Sequence, residues 1–117
     1  MKNDNSKNMI MNNISLIYTT IPNYEDAYHI SSTLLEHKLI ACANIFNNVT
    51  SIYYWKDEIH TTKEYIMILK TTKHLTKEVV SKIEEIHPYD TPAIITIDPT
   101  HVNDKFLHWI NNSLLEK

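Results

Sequence analysis

Two prolines lock the segment His87-Pro88-Tyr89-Asp90-Thr91-Pro92, which brings an imidazole, a phenol and a carboxylate into one short corner. Pro88 cannot continue a helix and drives His87 out of the helical basin, so the amphipathic stretch before it must end there. A stiff corner can recognise a ligand or a neighbouring subunit without first losing loop entropy. The same pattern also serves as a plain helix-to-strand link whose His and Tyr satisfy backbone groups. For His87 both readings stand, a ligand contact and a structural hydrogen bond. Cys42 lies in an apolar Ala41-Cys42-Ala43 setting, where a thiol acts as a small buried hydrophobe; as a thiolate it is also a good ligand for copper or zinc. Lys70 can meet an anion near the His87 corner, pair with Asp90, or stay solvated. Tyr53, Tyr54 and Trp55 either pack a sheet or subunit interface or offer a ligand a stacking surface.

The remaining histidines, at 29, 37, 60, 74, 101 and 108, show no ligand spacing on a shared face. No nucleophile has a neighbouring base, no carboxylates pair at a recognisable spacing, and no cofactor fingerprint is present, so a non-enzyme is expected.

These side chains must be positioned by a small set of elements. Ile14–Thr20 is β-branched and apolar, a strand ended by Pro22-Asn23. Asn23 is a plausible N-cap, acidic Glu25 and Asp26 suit a first turn, and Ala27, Ile30, Ser31, Leu34 and Leu35 share one helical face up to Lys38. Ala41–Tyr54 and Ile59–Thr71 read as a long hairpin with a bulge near Asn47-Asn48 and a turn near Lys56-Asp57. Leu75, Val79, Ile83 and Ile86 stripe a second helix that runs into Pro88. Ala93–Ile97 is a short apolar strand, and Phe106, Leu107, Ile110 and Leu114 line a last helix with Asn103 as its cap and Trp109 at its flank. The order β-α-β-β-α-β plus a helix predicts an α+β, ferredoxin-like antiparallel sheet with a long β2-β3 hairpin. Strand edges of that length need covering, which a cyclic trimer or dimer provides.

Composition narrows the partners. The chain has 117 residues, enough for one domain whose core needs no metal or disulfide staple. Its net charge is -3 and every basic residue is a lysine, so forked arginine contacts to phosphate or guanine are absent and nucleic acid is not an expected partner. Glycine is absent, which excludes the glycine-rich phosphate cradles of P-loop and dinucleotide-binding proteins. Cys42 alone allows no internal disulfide and no multi-cysteine zinc site, and fits a reducing compartment. Residues 1–13 are polar and Asn-rich, and Met9-Ile10-Met11 is too short for a signal peptide, so a disordered tail is expected before a single domain over 14–117. No apolar run approaches the roughly 20 residues that cross a bilayer, so no membrane partner and a cytoplasmic location are expected.

Three stretches, Leu39-Ile40-Ala41-Cys42-Ala43-Asn44-Ile45, Val49-Thr50-Ser51-Ile52-Tyr53-Tyr54-Trp55 and the His87–Pro92 corner, together resemble the CutA family of divalent-cation tolerance proteins. Ile68-Leu69-Lys70-Thr71 and Leu107-His108-Trp109-Ile110 fit as well. The resemblance implies a tight homotrimer with hairpin arms extending sheets across subunits, and an architecture like that of PII signalling trimers. It also implies a role tied to divalent cations, copper(II) above all, with no ion needed for folding. The family's metal ligands would be a cysteine ending the first strand, a cysteine in the second, the corner histidine and a glutamate after the corner. Here those positions hold Thr19, Cys42, His87 and Ala93, which leaves Cys42 and His87 as candidate ligands, to be completed by another subunit, by Asp90 or by water. The alternative is a PII-like trimer that binds a small organic anion in intersubunit clefts lined by Lys70, Trp55, His87, Tyr89 and Asp90, with Tyr53, Tyr54 and Trp55 at the seam. An interaction scaffold that anchors an unidentified protein is a third reading.

Overall fold

The computed structural model describes residues 12–115. Its elements are β1 (Ile14–Ile21), α1 (Tyr24–Glu36), β2 (Cys42–Trp55), β3 (Glu58–Thr72), a 3-10 turn (Lys73–Leu75), α2 (Thr76–Ile86), β4 (Ile94–Ile97) and α3 (Asp104–Leu115). The strands form one antiparallel sheet in the order β2-β3-β1-β4. This is the expected α+β class and element order.

Period-two alternation divides the sheet into two unlike faces. Ile17 and Ile21 of β1 and Met67 and Leu69 of β3 are buried together with Ala27, Ile30 and Leu34 of α1 and Val79 and Ile83 of α2, one continuous core. Leu35, expected on the buried face of α1, is exposed, since the helix turns only four of its positions inward. On the other face of the sheet, Phe46, Ile95 and Ile97 remain 53%, 51% and 41% exposed. That face is apolar and largely open.

The helix ends follow from local chemistry. Asn23 caps α1, its Oδ1 accepting from Asp26 N–H at 2.8 Å. At the other end Lys38 N–H bonds Leu35 C=O (3.0 Å) and Leu39 N–H bonds Leu34 C=O (2.9 Å), a Schellman closure that places Lys38 at φ 58°. α2 stops at Ile86, and His87 turns extended (ψ 138°) ahead of Pro88, as the proline requires.

β2 and β3 form the expected hairpin. Register shifts between Phe46 and Val49, where Asn48 sits at φ 59°, confirm the bulge. The two-residue turn puts both Lys56 (φ 51°) and Asp57 (φ 65°) in the left-handed region. With no glycine available, side chains that pay a steric penalty occupy these positions. Lys38→Gly and Asp57→Gly are each expected to stabilise the fold by about 0.5–1 kcal/mol, read as a higher urea midpoint at unchanged slope. A lower midpoint in both would contradict the strain.

Asn12 and Asn13, expected in the tail, are instead tied to the domain. Asn12 Nδ2 donates to Pro99 C=O (2.7 Å), Asn13 exchanges amide bonds with Asn111 (2.9 and 3.1 Å), and Lys73 N–H bonds Asn13 C=O (2.8 Å). The rest of the expected tail, 1–11, lies outside the described residues.

Candidate functional site

The corner is built around a buried imidazole. His87, 8% exposed, accepts from Tyr89 N–H at Nδ1 (3.1 Å), which leaves Nε2 protonated and donating to Thr20 C=O (2.8 Å). Thr19 Oγ1 stands 3.3 Å from the same Nε2, and the Tyr89 ring packs on the imidazole at 5.1 Å. Burial lowers the pKa of His87 below 6.5, against smaller opposing effects of the Thr20 carbonyl and the charges of Asp26 and Glu64. The ring is neutral at pH 7, and both nitrogens are engaged. The structural reading of His87 is therefore the one realised inside the subunit.

Beside the corner, the foot of the hairpin carries Glu64, a residue that sequence spacing did not single out. Its Oε1 accepts from Ser51 Oγ and its Oε2 from the Tyr89 hydroxyl, each at 2.6 Å. The link ties β2, β3 and the corner together. Burial, and then the bond to Glu64, push the Tyr89 phenol well above its ordinary value of 10.0, so it remains a neutral donor. Glu64 gave no signal in the sequence because its partners are 13 and 25 positions away. Only its place on the same strand face as Ser51, across the hairpin, pointed to the first of them.

Between the arm and the corner runs an open groove of about 900 Å³. Tyr53 and Trp55 line one side, Tyr89, Asp90 and Ala93 the other, with Glu64 between. Tyr54 does not belong to this surface. It pairs with Ile59 on the opposite face of the hairpin, and Ile52, Tyr54 and Ile59 there are 68%, 69% and 73% exposed. The aromatic run is thus divided, two rings on the groove and one on an apolar patch behind it.

Within one subunit, two of the candidate site residues stand away from the corner. Lys70 does not reach the corner: its Nζ lies 5.3 Å from the Phe106 ring centroid, beside a hollow lined by Ile14, Leu16, Pro99 and Val102. Cys42 and His87 do not meet within a subunit. Cys42 pairs with Lys70, and Lys70 with Leu16, whereas Thr19 beside His87 is three residues further along β1, roughly 10 Å, and on the other face. Among the described residues no three His, Cys, Asp or Glu side chains cluster as a metal site. A hydroxyl at Thr19 and a methyl at Ala93 supply no soft or charged donor there. The described residues of one subunit do not make a closed metal centre.

Comparison with known proteins agrees with this architecture. The family described as "CutA1 divalent ion tolerance protein" matches residues 15–113. A Thermotoga maritima protein named "Divalent-cation tolerance protein CutA" is 43% identical over 100 residues, covering 86% of this chain and 98% of that one. A protein of the same name from Pyrococcus horikoshii is 44% identical over 95 residues, 81% of this chain and 92% of its own. The crystal structure of the divalent ion tolerance protein CutA1 from Ehrlichia chaffeensis superposes with a TM-score of 0.86 at 64% identity, covering 89% of this chain and 97% of that one. With sequence and fold matched along nearly the whole domain, this chain belongs to the CutA1 family of divalent ion tolerance proteins.

Proposed function

We propose that the protein acts as a non-catalytic homotrimer in the tolerance of divalent metal ions, copper among them. The observation that carries the assembly is the exposed apolar surface of the open sheet face and the hairpin, where Phe46, Ile52, Tyr54, Ile59, Ile95 and Ile97 all face outward. Edge strands β2 and β4 are free to pair with a neighbour, so the split βαβ plan of one subunit continues into the next. Light scattering should report three times the 13.8 kDa of one chain. The single cysteine supports a cytoplasmic place, and no helix among the described residues is long and apolar enough to cross a membrane.

Because the described residues of one subunit hold no metal centre, an ion held by the trimer draws on donors from more than one chain. Cys42, half-buried on the open face, is the soft donor available to such a seam. His87 is already satisfied. Calorimetric titration with copper is expected to show at least tenfold weaker binding in Cys42→Ala and wild-type binding in His87→Asn. Identical weak binding by all three would remove Cys42 as a ligand and leave tolerance without direct metal capture. The anion-binding alternative gains nothing from the geometry, because Lys70 is remote and the groove presents Glu64 and Asp90.

A further inference from the structure

We infer that the groove between the hairpin and the corner is closed by a second copy of this chain, whose lysine ammonium enters it and pairs with Glu64. The inference rests on the homotrimer proposed above. Glu64 stands two residues from Ile66, the register partner of Phe46, so its side chain lies on the open sheet face that the trimer covers. Half-buried already, its carboxylate accepts from the hydroxyls of Ser51 and Tyr89, each at 2.6 Å. Both donors are neutral, and they orient the charge without cancelling it. Asp90 adds a second carboxylate to the groove.

Within the subunit this charge goes unanswered. Among the described residues no lysine or histidine forms an ion pair with Glu64 or Asp90. Lys63 Nζ bonds Thr50 Oγ1 (2.9 Å), its register partner on the other face of the hairpin. Lys56 Nζ lies 5.8 Å from the Trp55 ring centroid, and the His60 ring stacks on Tyr53 at 5.8 Å. The aromatic walls are thus taken by the chain's own groups, and the carboxylate is what remains to be met. Covering a carboxylate with an interface that brings no opposite charge is strongly destabilising. In a ring of identical subunits the covering surface comes from this same sequence, which has no arginine, so lysine supplies the cation. Contacts in a cyclic ring run head to tail: each subunit offers its groove to one neighbour and its lysine to the other, and the ring closes with every groove filled.

The test mixes unlabelled and 15N-labelled trimers and follows subunit exchange by native mass spectrometry. Glu64→Gln is expected to exchange roughly tenfold faster or more, because the neighbour's ammonium loses its counter-charge. An uncompensated carboxylate predicts the opposite sign, slower exchange once the charge is removed. Tyr89→Phe keeps the charge and loses one internal hydrogen bond, so its exchange should stay within about twofold of wild type. In mixed wild-type trimers, a carbodiimide, which takes up the water released as it joins a carboxylate to an amine in contact, is expected to link Glu64 of one isotope to a lysine of the other. Equal or slower exchange in Glu64→Gln, equal acceleration in Tyr89→Phe, or no such mixed-isotope link overturns the inference and leaves the trimer standing. Light scattering that reports single wild-type chains removes the trimer itself and the inference with it.

Discussion

On the proposed homotrimer, the Tyr54→Asp variant is expected to elute as single 13.8 kDa chains under conditions where the wild type elutes at three times that mass. Tyr54 and its cross-strand partner Ile59 are 69% and 73% exposed, and with Ile52 they form an apolar patch on strands of 14 and 15 residues. The arm makes the subunit 60 Å long but only 27 and 22 Å across, so the rest of the fold cannot shield it. A carboxylate forced into a packed interface costs several kcal/mol, whereas at the same exposed position of a free subunit it costs nearly nothing. Assembly is therefore lost while the circular dichroism of the subunit persists. Ile59→Asp should do the same. If Tyr54→Asp stays trimeric, the back of the arm is not the seam.

The largest loss of subunit stability is expected at His87. Replacing it with alanine leaves Thr20 C=O and Tyr89 N–H without partners and opens a void under the Tyr89 ring, about 2–3 kcal/mol by urea unfolding. The same residue makes stability depend on pH. Its native pKa is lowered while the unfolded chain keeps about 6.5, so between the two values the unfolded state binds more protons. Stability is full above about pH 6.5 and is lost as pH falls through that window toward the lowered native value. His87→Asn retains an acceptor for Tyr89 N–H but cannot titrate. Melting curves at pH 7.5, 6.5 and 5.5 should fall more steeply for wild type than for His87→Asn. Parallel curves would mean that the imidazole is protonated in the folded protein as readily as in the unfolded chain.

The unusual composition of the chain has a direct structural reflection. Turns that glycine usually serves are made by Lys38, Asn48, Lys56 and Asp57, all at positive φ. Their cost is local, and the buried core of isoleucines and leucines is large enough to carry it.

Much of the fold was determined by the sequence alone, because its signals are local. Pro88 ended α2 and extended His87; Asn23 capped α1; β-branched alternation marked the strands; Asn47-Asn48 marked the bulge. Each effect acts within a few residues, where steric and hydrogen-bonding rules depend little on the rest of the chain. Tertiary structure alone decided the site. Whether His87 was a ligand or a strut depended on Thr20 and Thr19, more than sixty positions away. Glu64 acquired a role only when Ser51 and Tyr89 were brought to it, and Lys70 and Cys42 were carried away from the corner by strand register. Alternation sent Tyr53 and Trp55 to the groove and Tyr54 behind it, a division that a run of three aromatics does not announce. Contacts between distant segments are set by the packing of the whole sheet, and no local pattern encodes them.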